Sequence, residues 1–280
     1  MAIVKSSVWK TGFTFAESPR WHDGALWFSD FHDYTVYRVE DDGTPEAVTK
    51  VPGEPSGLGW LPDGRLLVVS MTDRKLMRVD PDGLKEHADL SGIATWHCND
   101  MVVDAEGRAY VGNFGAAWGE DPTPADLARV DPDGTVSIAA EKLDFPNGCA
   151  ISADGSTLLV AETVGGRLTA FDRDATGKLS NRRVWAEVPG TPDGICLDAD
   201  GAVWVAAGTE GVLRVAEGGE ILNRVEVTEN LAVACMLGGD DRKTHFVMTT
   251  INAGTEELVQ QRQSRIEIAE VAVSGAGWPG

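Results

Sequence analysis

The 280-residue sequence contains no long apolar run and no apolar N-terminal segment. Its longest apolar stretches, such as residues 203–207, are far shorter than the roughly 20 residues of a membrane-spanning helix. The first ten residues also lack the apolar region and small-residue cleavage site of a secretory signal. These absences predict a protein located in the cytoplasm, with no membrane partner.

Positive charge is scarce. The chain has 24 Lys and Arg residues against 44 Asp and Glu residues, which gives a formal net charge of −20. A surface of this charge repels the phosphates of nucleic acids and the head groups of anionic membranes. We therefore expect neither nucleic acid nor a membrane as a partner.

The four cysteines, Cys98, Cys149, Cys196 and Cys235, are far apart in the sequence and form no CxxC pair. Their spacing does not match that of a zinc finger. Each lies in an apolar stretch, where a free cysteine behaves as a small buried hydrophobic residue. The spacing therefore predicts four core cysteines and no metal–thiolate site.

Strong helical patterns are also missing, since 32 Gly and 13 Pro residues disfavour a coiled coil or a helical bundle. The sequence has instead an internal repeat with a period of about 40 to 45 residues. Each unit has a short segment, a turn pair such as Asp63-Gly64, and a β-rich run. The six segments are residues 17–21, 56–60, 99–103, 147–151, 193–197 and 233–237.

Six units of four short antiparallel strands predict an all-β, six-bladed β-propeller in a single domain over residues 1–280. The sixth unit ends near Val273 without a clear fourth strand. Residues 7–13 precede the first unit and have no partner within it. We therefore predict that this N-terminal strand completes the last blade and closes the ring, which leaves no open edge.

The first residue of each repeated segment indicates a metal site. In a propeller the innermost strands surround the axis, so equivalent positions form a ring. This ring contains Glu17, Ser56, Asn99, Asn147, Asp193 and Val233. Two carboxylates brought together near an axis raise each other's pKa unless a cation compensates their charge.

The predicted metal ligands are therefore Glu17, Asn99, Asn147 and Asp193. Taken singly, Asn or Asp at a loop-to-strand junction often caps its own backbone, but their common position in the repeat favours the metal site. Carboxylate and amide oxygens suit one divalent cation, with Ca²⁺ first, Mg²⁺ and Mn²⁺ next, and Zn²⁺ lower.

The sequence resembles the SMP-30/gluconolactonase family of six-bladed propeller hydrolases. The matching stretches are residues 17–21 (ESPRW), 99–104 (NDMVVD), 145–148 (FPNG) and 192–194 (PDG), and the likeness extends over nearly the whole chain. The resemblance implies a divalent-metal-dependent lactonase whose ion is held by Glu17, Asn99, Asn147 and Asp193. It also suggests Asp193 as the general base.

One position departs from the family pattern. Many members that act on sugar lactones carry Arg where this chain has His97, which follows Trp96. We therefore expect a less polar lactone or ester as substrate. His97 competes with Asp193 as the general base, because the ordinary pKa of histidine lies near neutral pH. The residues predicted to contact substrate at the mouth are Trp96, His97, Asn113, Phe114, Trp118 and Glu162.

The predicted reaction opens a lactone, with a carbonyl group polarised by the metal and attacked by water. Two alternatives stay open. One is a phosphotriesterase-type metal hydrolase that uses the same site, and the other is a non-catalytic interaction propeller. The aligned oxygen ligands and the acidic charge favour a hydrolase over an interaction scaffold.

Overall fold

The structure is a computed structural model that describes residues 2–40, 43–117 and 119–279. Its regular elements are nearly all β-strands, which form six sheets. Within the described residues, no helix is both long and apolar enough to cross a membrane. The six sheets form the blades of a ring, which confirms the predicted six-bladed β-propeller.

The strands follow the blades in chain order. The N-terminal segment forms β1 (Ala2–Lys5) and β2 (Ser7–Phe13). Blade one contains β3 (Ala16–His22), β4 (Ala25–Asp30), β5 (Thr35–Val39) and β6 (Glu46–Lys50). Blade two contains β7 (Pro55–Trp60), β8 (Leu66–Ser70), β9 (Lys75–Asp80) and β10 (Gly83–Asp89). Blade three contains β11 (Cys98–Val103), β12 (Ala109–Asn113), β13 (Ala125–Val130) and β14 (Val136–Leu143).

The second half of the chain repeats this order. Blade four contains β15 (Pro146–Ile151), β16 (Thr157–Glu162), β17 (Arg167–Arg173) and β18 (Leu179–Glu187). Blade five contains β19 (Ile195–Asp198), β20 (Val203–Ala206), β21 (Val212–Val215) and β22 (Ile221–Glu226). Blade six contains β23 (Leu231–Gly238), β24 (Thr244–Thr250) and, after the helix α1 (Thr255–Gln261), β25 (Ser264–Glu270). The last strand is β26 (Gly275–Ala276).

The N-terminal strand closes the ring as predicted. Strand β2 pairs antiparallel with β25, with Ser7 opposite Ile268 and Phe13 opposite Ser264. Blade five differs from the predicted four strands, because its sheet has six. Strand β1 pairs parallel with β22, and β26 pairs with β19. Both ends of the chain thus cover edges of blade five that would otherwise expose unpaired backbone groups.

The innermost strands form a closed inner ring. Strands β3, β7, β11, β15, β19 and β23 each contact the next, and β23 contacts β3. Every residue of β11 and β15 is buried, since each inner strand is covered by the neighbouring blades on both faces. The largest apolar cluster joins Trp21 of blade one to Trp204 of blade five and Met236 and Phe246 of blade six. Packing between blades, rather than within one sheet, therefore makes up the core.

The inner strands approach so closely that Gly57 has no room for a side chain. A Cβ atom there would lie 2.5 Å from the backbone nitrogen of Met101 and 2.9 Å from the carbonyl carbon of Asp100. We expect Gly57→Ala to lower the free energy of unfolding by about 1 to 3 kcal/mol, as measured by urea denaturation. Gly92→Ala is the matched control, because a Cβ there meets nothing within 4 Å. Equal losses in both variants would contradict this close approach.

Candidate metal centre

The predicted ligands lie at the start of four innermost strands. Glu17, Asn99 and Asn147 belong to β3, β11 and β15, and Asp193 lies two residues before β19. In β3, β11 and β15 the pairing with the next strand shifts register at this point. Such a bulge removes residues from the regular alternation and redirects their side chains. The repeated bulge therefore places the same residue of each repeat at the same level of the ring.

Direct contacts bring these side chains together. The side chain of Asn147 lies close enough to the Asp193 carboxyl group to lower its pKa. Asn147 Nδ2 also donates to Thr163 Oγ1 at 3.0 Å, which fixes the amide in place. On the other side of the ring, Ser56 Oγ lies 3.5 Å from Asn99 Oδ1. Glu17, Asn99 and Asn147 are only 5–6% exposed, whereas Asp193 is partly exposed, so one side of the group is open to water.

The carboxyl groups of the ring repel one another. Burial is the largest cause that raises the pKa of Glu17 well above its usual range, and the charges of Asp193 and Asp100 raise it further. Burial and the charge of Asp100 raise the pKa of Asp193 to about 8, although the side chain of Asn147 opposes this. Without a compensating positive charge, both groups are therefore costly to ionise.

The sequence analysis did not predict a buried ion pair that lies next to the ring. Asp100, next to the predicted ligand Asn99, forms a salt bridge with Arg20, and both side chains are almost fully buried. Arg20 also donates from Nε to the carbonyl oxygen of Leu58 at 2.9 Å and from Nη2 to that of Met101 at 2.6 Å. Both residues lie within matched family stretches, but nothing in the sequence indicates that strands β3 and β11 place them together.

The charges of the cluster fit a divalent cation. Glu17, Asp100 and Asp193 contribute three negative charges when ionised, and Arg20 contributes one positive charge, which leaves a net charge of −2. Two carboxylates and two amides provide only hard oxygen donors, which Ca²⁺ prefers. The residues present therefore fit one divalent cation held by Glu17, Asn99, Asn147 and Asp193.

Three aromatic side chains, Trp96, His97 and Phe114, form a group at the ends of strands β11 and β12 of blade three. The rings of Trp96 and His97 stack with centroids 4.7 Å apart, and Phe114 lies 6.0 Å from His97. Trp96 is 39% exposed. Phe114 and Phe145 also line a cavity of about 300 Å³. Burial lowers the pKa of His97, which favours the neutral imidazole. The structure thus brings three of the predicted substrate-contact residues together in this aromatic group.

Two other predicted substrate contacts are engaged within the protein. Asn113 is 1% exposed, donates from Nδ2 to the carbonyl oxygen of Asp126 and accepts the backbone N–H of Gly115. Glu162 is fully buried and pairs with Arg167 at 2.9 Å. Their side chains therefore hold the surrounding loops and strands in place. Trp118, the remaining predicted contact, lies outside the described residues.

Comparison with known proteins extends this picture. The regucalcin of Danio rerio is 28% identical over 265 residues, which cover 89% of this chain and 87% of that protein. Pentonolactonase XacC of Haloferax volcanii is 27% identical over 246 residues, which cover 85% and 82% of the two chains. Among solved structures, the gluconolactonase XC5397 of Xanthomonas campestris has a TM-score of 0.75 and 28% identity, covering 94% of this chain and 88% of that one.

A family model matches most of the chain. The model of the SMP-30/gluconolactonase/LRE-like region matches residues 15–251, which contain all four predicted ligands and the Arg20–Asp100 pair. The match begins next to β3 of blade one and extends through β24 of blade six. With this extent of match, the chain belongs to the SMP-30/gluconolactonase/LRE-like family.

Proposed function

We propose that the protein is a divalent-cation-dependent lactonase that hydrolyses the cyclic ester of a small molecule. The observation that carries the proposal is the ring of Glu17, Asn99, Asn147 and Asp193, whose two carboxyl groups have raised pKa values and would carry, with the Arg20–Asp100 pair, a net charge of −2 when ionised. The names of two similar proteins, a pentonolactonase and a gluconolactonase, support the reaction class. We propose Ca²⁺ as the ion, because all the donors are hard oxygens.

The ring residues have separate tasks in this reaction. When bound, the cation supplies Lewis-acid polarisation of the lactone carbonyl. Asp193 is the proposed general base, because a carboxylate oxygen accepts the proton of an attacking water. Asn147 lies beside this carboxylate and is itself anchored by Thr163. Arg20 offsets the charge of Asp100, so that Glu17 and Asp193 remain available to the cation.

His97 remains the competing base. Its lowered pKa favours the neutral imidazole, the form that accepts a proton. The charges that act on this ring come from Glu54 and Arg74 of blade two. Its stacking on Trp96 is equally suited to binding substrate. Separate substitution of His97 and of Asp193, with kcat/KM measured for each variant, identifies which of the two residues is the general base.

The aromatic group supports the preference for a less polar lactone. Trp96, His97 and Phe114 present ring faces and edges near the entrance, and such surfaces bind apolar substrate groups. We expect Trp96→Ala to raise the KM for an alkyl-substituted lactone about tenfold with little change in kcat. A polyhydroxylated sugar lactone, assayed in parallel, should be affected less. An equal change for both substrates would contradict this role of Trp96.

Removal of the cation tests the proposed function directly. The chelated protein and the same protein restored with Ca²⁺ should be assayed on γ- and δ-lactones and, as a control, on a phosphotriester. We expect chelation to abolish lactone hydrolysis and Ca²⁺ to restore it, because Glu17 and Asp193 alone supply no Lewis acid. Full lactonase activity after chelation would contradict the metal mechanism. Faster hydrolysis of the phosphotriester would favour the alternative hydrolase.

A further inference from the structure

A second group of possible ligands lies between blades five and six. Cys196 is on β19, Cys235 on β23 and His245 on β24. One ligand atom from each residue lies within 4.8 Å of those of the other two. Their exposed fractions are 0%, 2% and 0%. Sequence spacing gave no sign of this cluster, because the propeller brings together residues from three strands and two blades.

The separation of the two sulfurs matches ligands of one ion. Cys196 Sγ and Cys235 Sγ are 3.9 Å apart. Zinc–sulfur bonds of about 2.3 Å at tetrahedral or trigonal angles place two sulfurs about 3.8 to 4.0 Å apart. A disulfide would bring them to about 2.05 Å. Both cysteines are free thiols, already at the distance that a shared cation requires.

His245 supplies an independent observation. Both of its ring nitrogens are buried without a hydrogen-bond partner. The ring packs against Trp204, with centroids 4.6 Å apart, and lies beside the Cys196 thiol. A buried polar group without a partner is costly, and native structures rarely leave one without a function. A cation between the imidazole and the two sulfurs would satisfy one of these nitrogens.

The two cysteines of the cluster differ in acidity: burial, together with the contact to Cys196, raises the pKa of Cys235 well above its usual range. Burial by itself would raise the pKa of Cys196, but Cys235 and His245 outweigh it and lower the pKa to about 6. The guanidinium of Arg242 lies close enough to interact with Cys196, and its Nη2 has no hydrogen-bond partner. Burial raises the pKa of Cys98 to about 12. Cys98 therefore serves as a buried cysteine for comparison.

We propose that Cys196, Cys235 and His245 bind a thiophilic d¹⁰ cation, Zn²⁺ or Cu⁺, at a site separate from the oxygen ring. Two thiolates and one imidazole form a soft donor set, which selects these ions over Ca²⁺ and Mg²⁺. The bound ion links blade five to blade six through their inner strands. The oxygen ring keeps the hard cation of the proposed function.

The experiment uses the reduced full-length protein saturated with Ca²⁺ and titrated anaerobically with Zn²⁺ or, in a parallel arm, with Cu⁺. We expect one equivalent of one of these ions to bind per chain. At a hundredfold excess over Kd, Tm should rise by about 5 °C. Substitution with Co²⁺ should produce thiolate-to-metal charge-transfer absorption, a signal that oxygen ligands do not give. The arm with the tighter binding identifies the ion.

Matched variants locate the bound ion. Cys196→Ser and His245→Gln should each weaken binding by more than about 100-fold, beyond the usual effect of changes outside the ligand shell. Cys98→Ser should bind as the unchanged protein does. Asp193→Asn should also retain the soft ion, which separates a failure of this proposal from a failure of the proposed lactonase site. Loss of binding in Asp193→Asn with retention in Cys196→Ser would assign the ion to the oxygen ring and overturn the proposal.

Alkylation of the unsubstituted protein provides a test that needs no variant. Bound Zn²⁺ or Cu⁺ should slow modification of Cys196 and Cys235 at least tenfold in partly denaturing urea, as read by mass spectrometry, and leave Cys98 unaffected. Equal rates with and without the ion would overturn the proposal. Absence of binding to the reduced, folded protein in both titrations would overturn it as well.

Discussion

Asp193→Asn is expected to lower kcat/KM for lactone hydrolysis by about 10³-fold or more. The substitution keeps the shape of the side chain but removes the group that accepts a proton, and general-base catalysis contributes about 10²- to 10⁴-fold. In the proposed site it also removes one of the two carboxylates, those of Glu17 and Asp193, that would bind the cation. Steady-state kinetics at saturating Ca²⁺, together with calorimetric titration of Ca²⁺, separates the loss of the base from the loss of the ion.

Two further substitutions make this result specific. Asp133→Asn removes an exposed turn carboxylate, which accepts the backbone N–H of Thr135, and should leave kcat/KM unchanged. His97→Gln tests the competing base: a loss as large as that of Asp193→Asn, with unchanged Ca²⁺ affinity, would transfer the role to His97. Unchanged turnover in Asp193→Asn would contradict its assignment both as base and as ligand.

Arg20→Met is expected to cause the largest loss of stability, about 3 to 5 kcal/mol in the free energy of unfolding. It leaves Asp100 buried without its positive partner, next to the carboxyl groups of Glu17 and Asp193. Methionine roughly preserves the length of the side chain, so the effect comes mainly from the unpaired charge. Urea denaturation measures the loss. Added Ca²⁺ should restore part of the lost stability. Without Arg20, the bound cation is the only positive charge close to the carboxylates of Glu17, Asp100 and Asp193.

An exposed pair and a double variant provide the controls. Arg183→Met breaks the surface contact with Asp172 and should cost less than about 1 kcal/mol. Combining Arg20→Met with Asp100→Asn should recover part of the stability, because no unpaired buried charge remains. If Arg20→Met lowers the free energy of unfolding no more than Arg183→Met does, the Arg20–Asp100 pair does not stabilise the fold.

Much of the fold could be predicted because the repeat is a local pattern. Turn pairs and alternating apolar residues recur in each unit, and the missing fourth strand of blade six indicated the pairing of β2 with β25. The extra strands of blade five could not be predicted. Strand β1 has four residues and β26 only two, and such short segments pair only because the folded ring brings an open edge close to them.

The predicted metal ligands had a similar basis in the repeat. Glu17, Asn99, Asn147 and Asp193 occupy one position of it, and the structure groups them around the ring. The sequence places Glu162 near the predicted mouth, and the fold buries it beside Arg167. The direction of a side chain at the end of a strand cannot be predicted from the sequence, because it depends on a partner residue on a neighbouring strand.

The sequence by itself determined the number of blades, the strand that closes the ring and the position in the repeat where oxygen-bearing side chains recur. These properties depend on patterns that recur within each short unit. The tertiary structure alone decided that Arg20 pairs with Asp100 and that Cys196 and Cys235 lie beside His245. Such contacts join residues of different strands and blades, and their distances are set by how closely the blades pack around the axis.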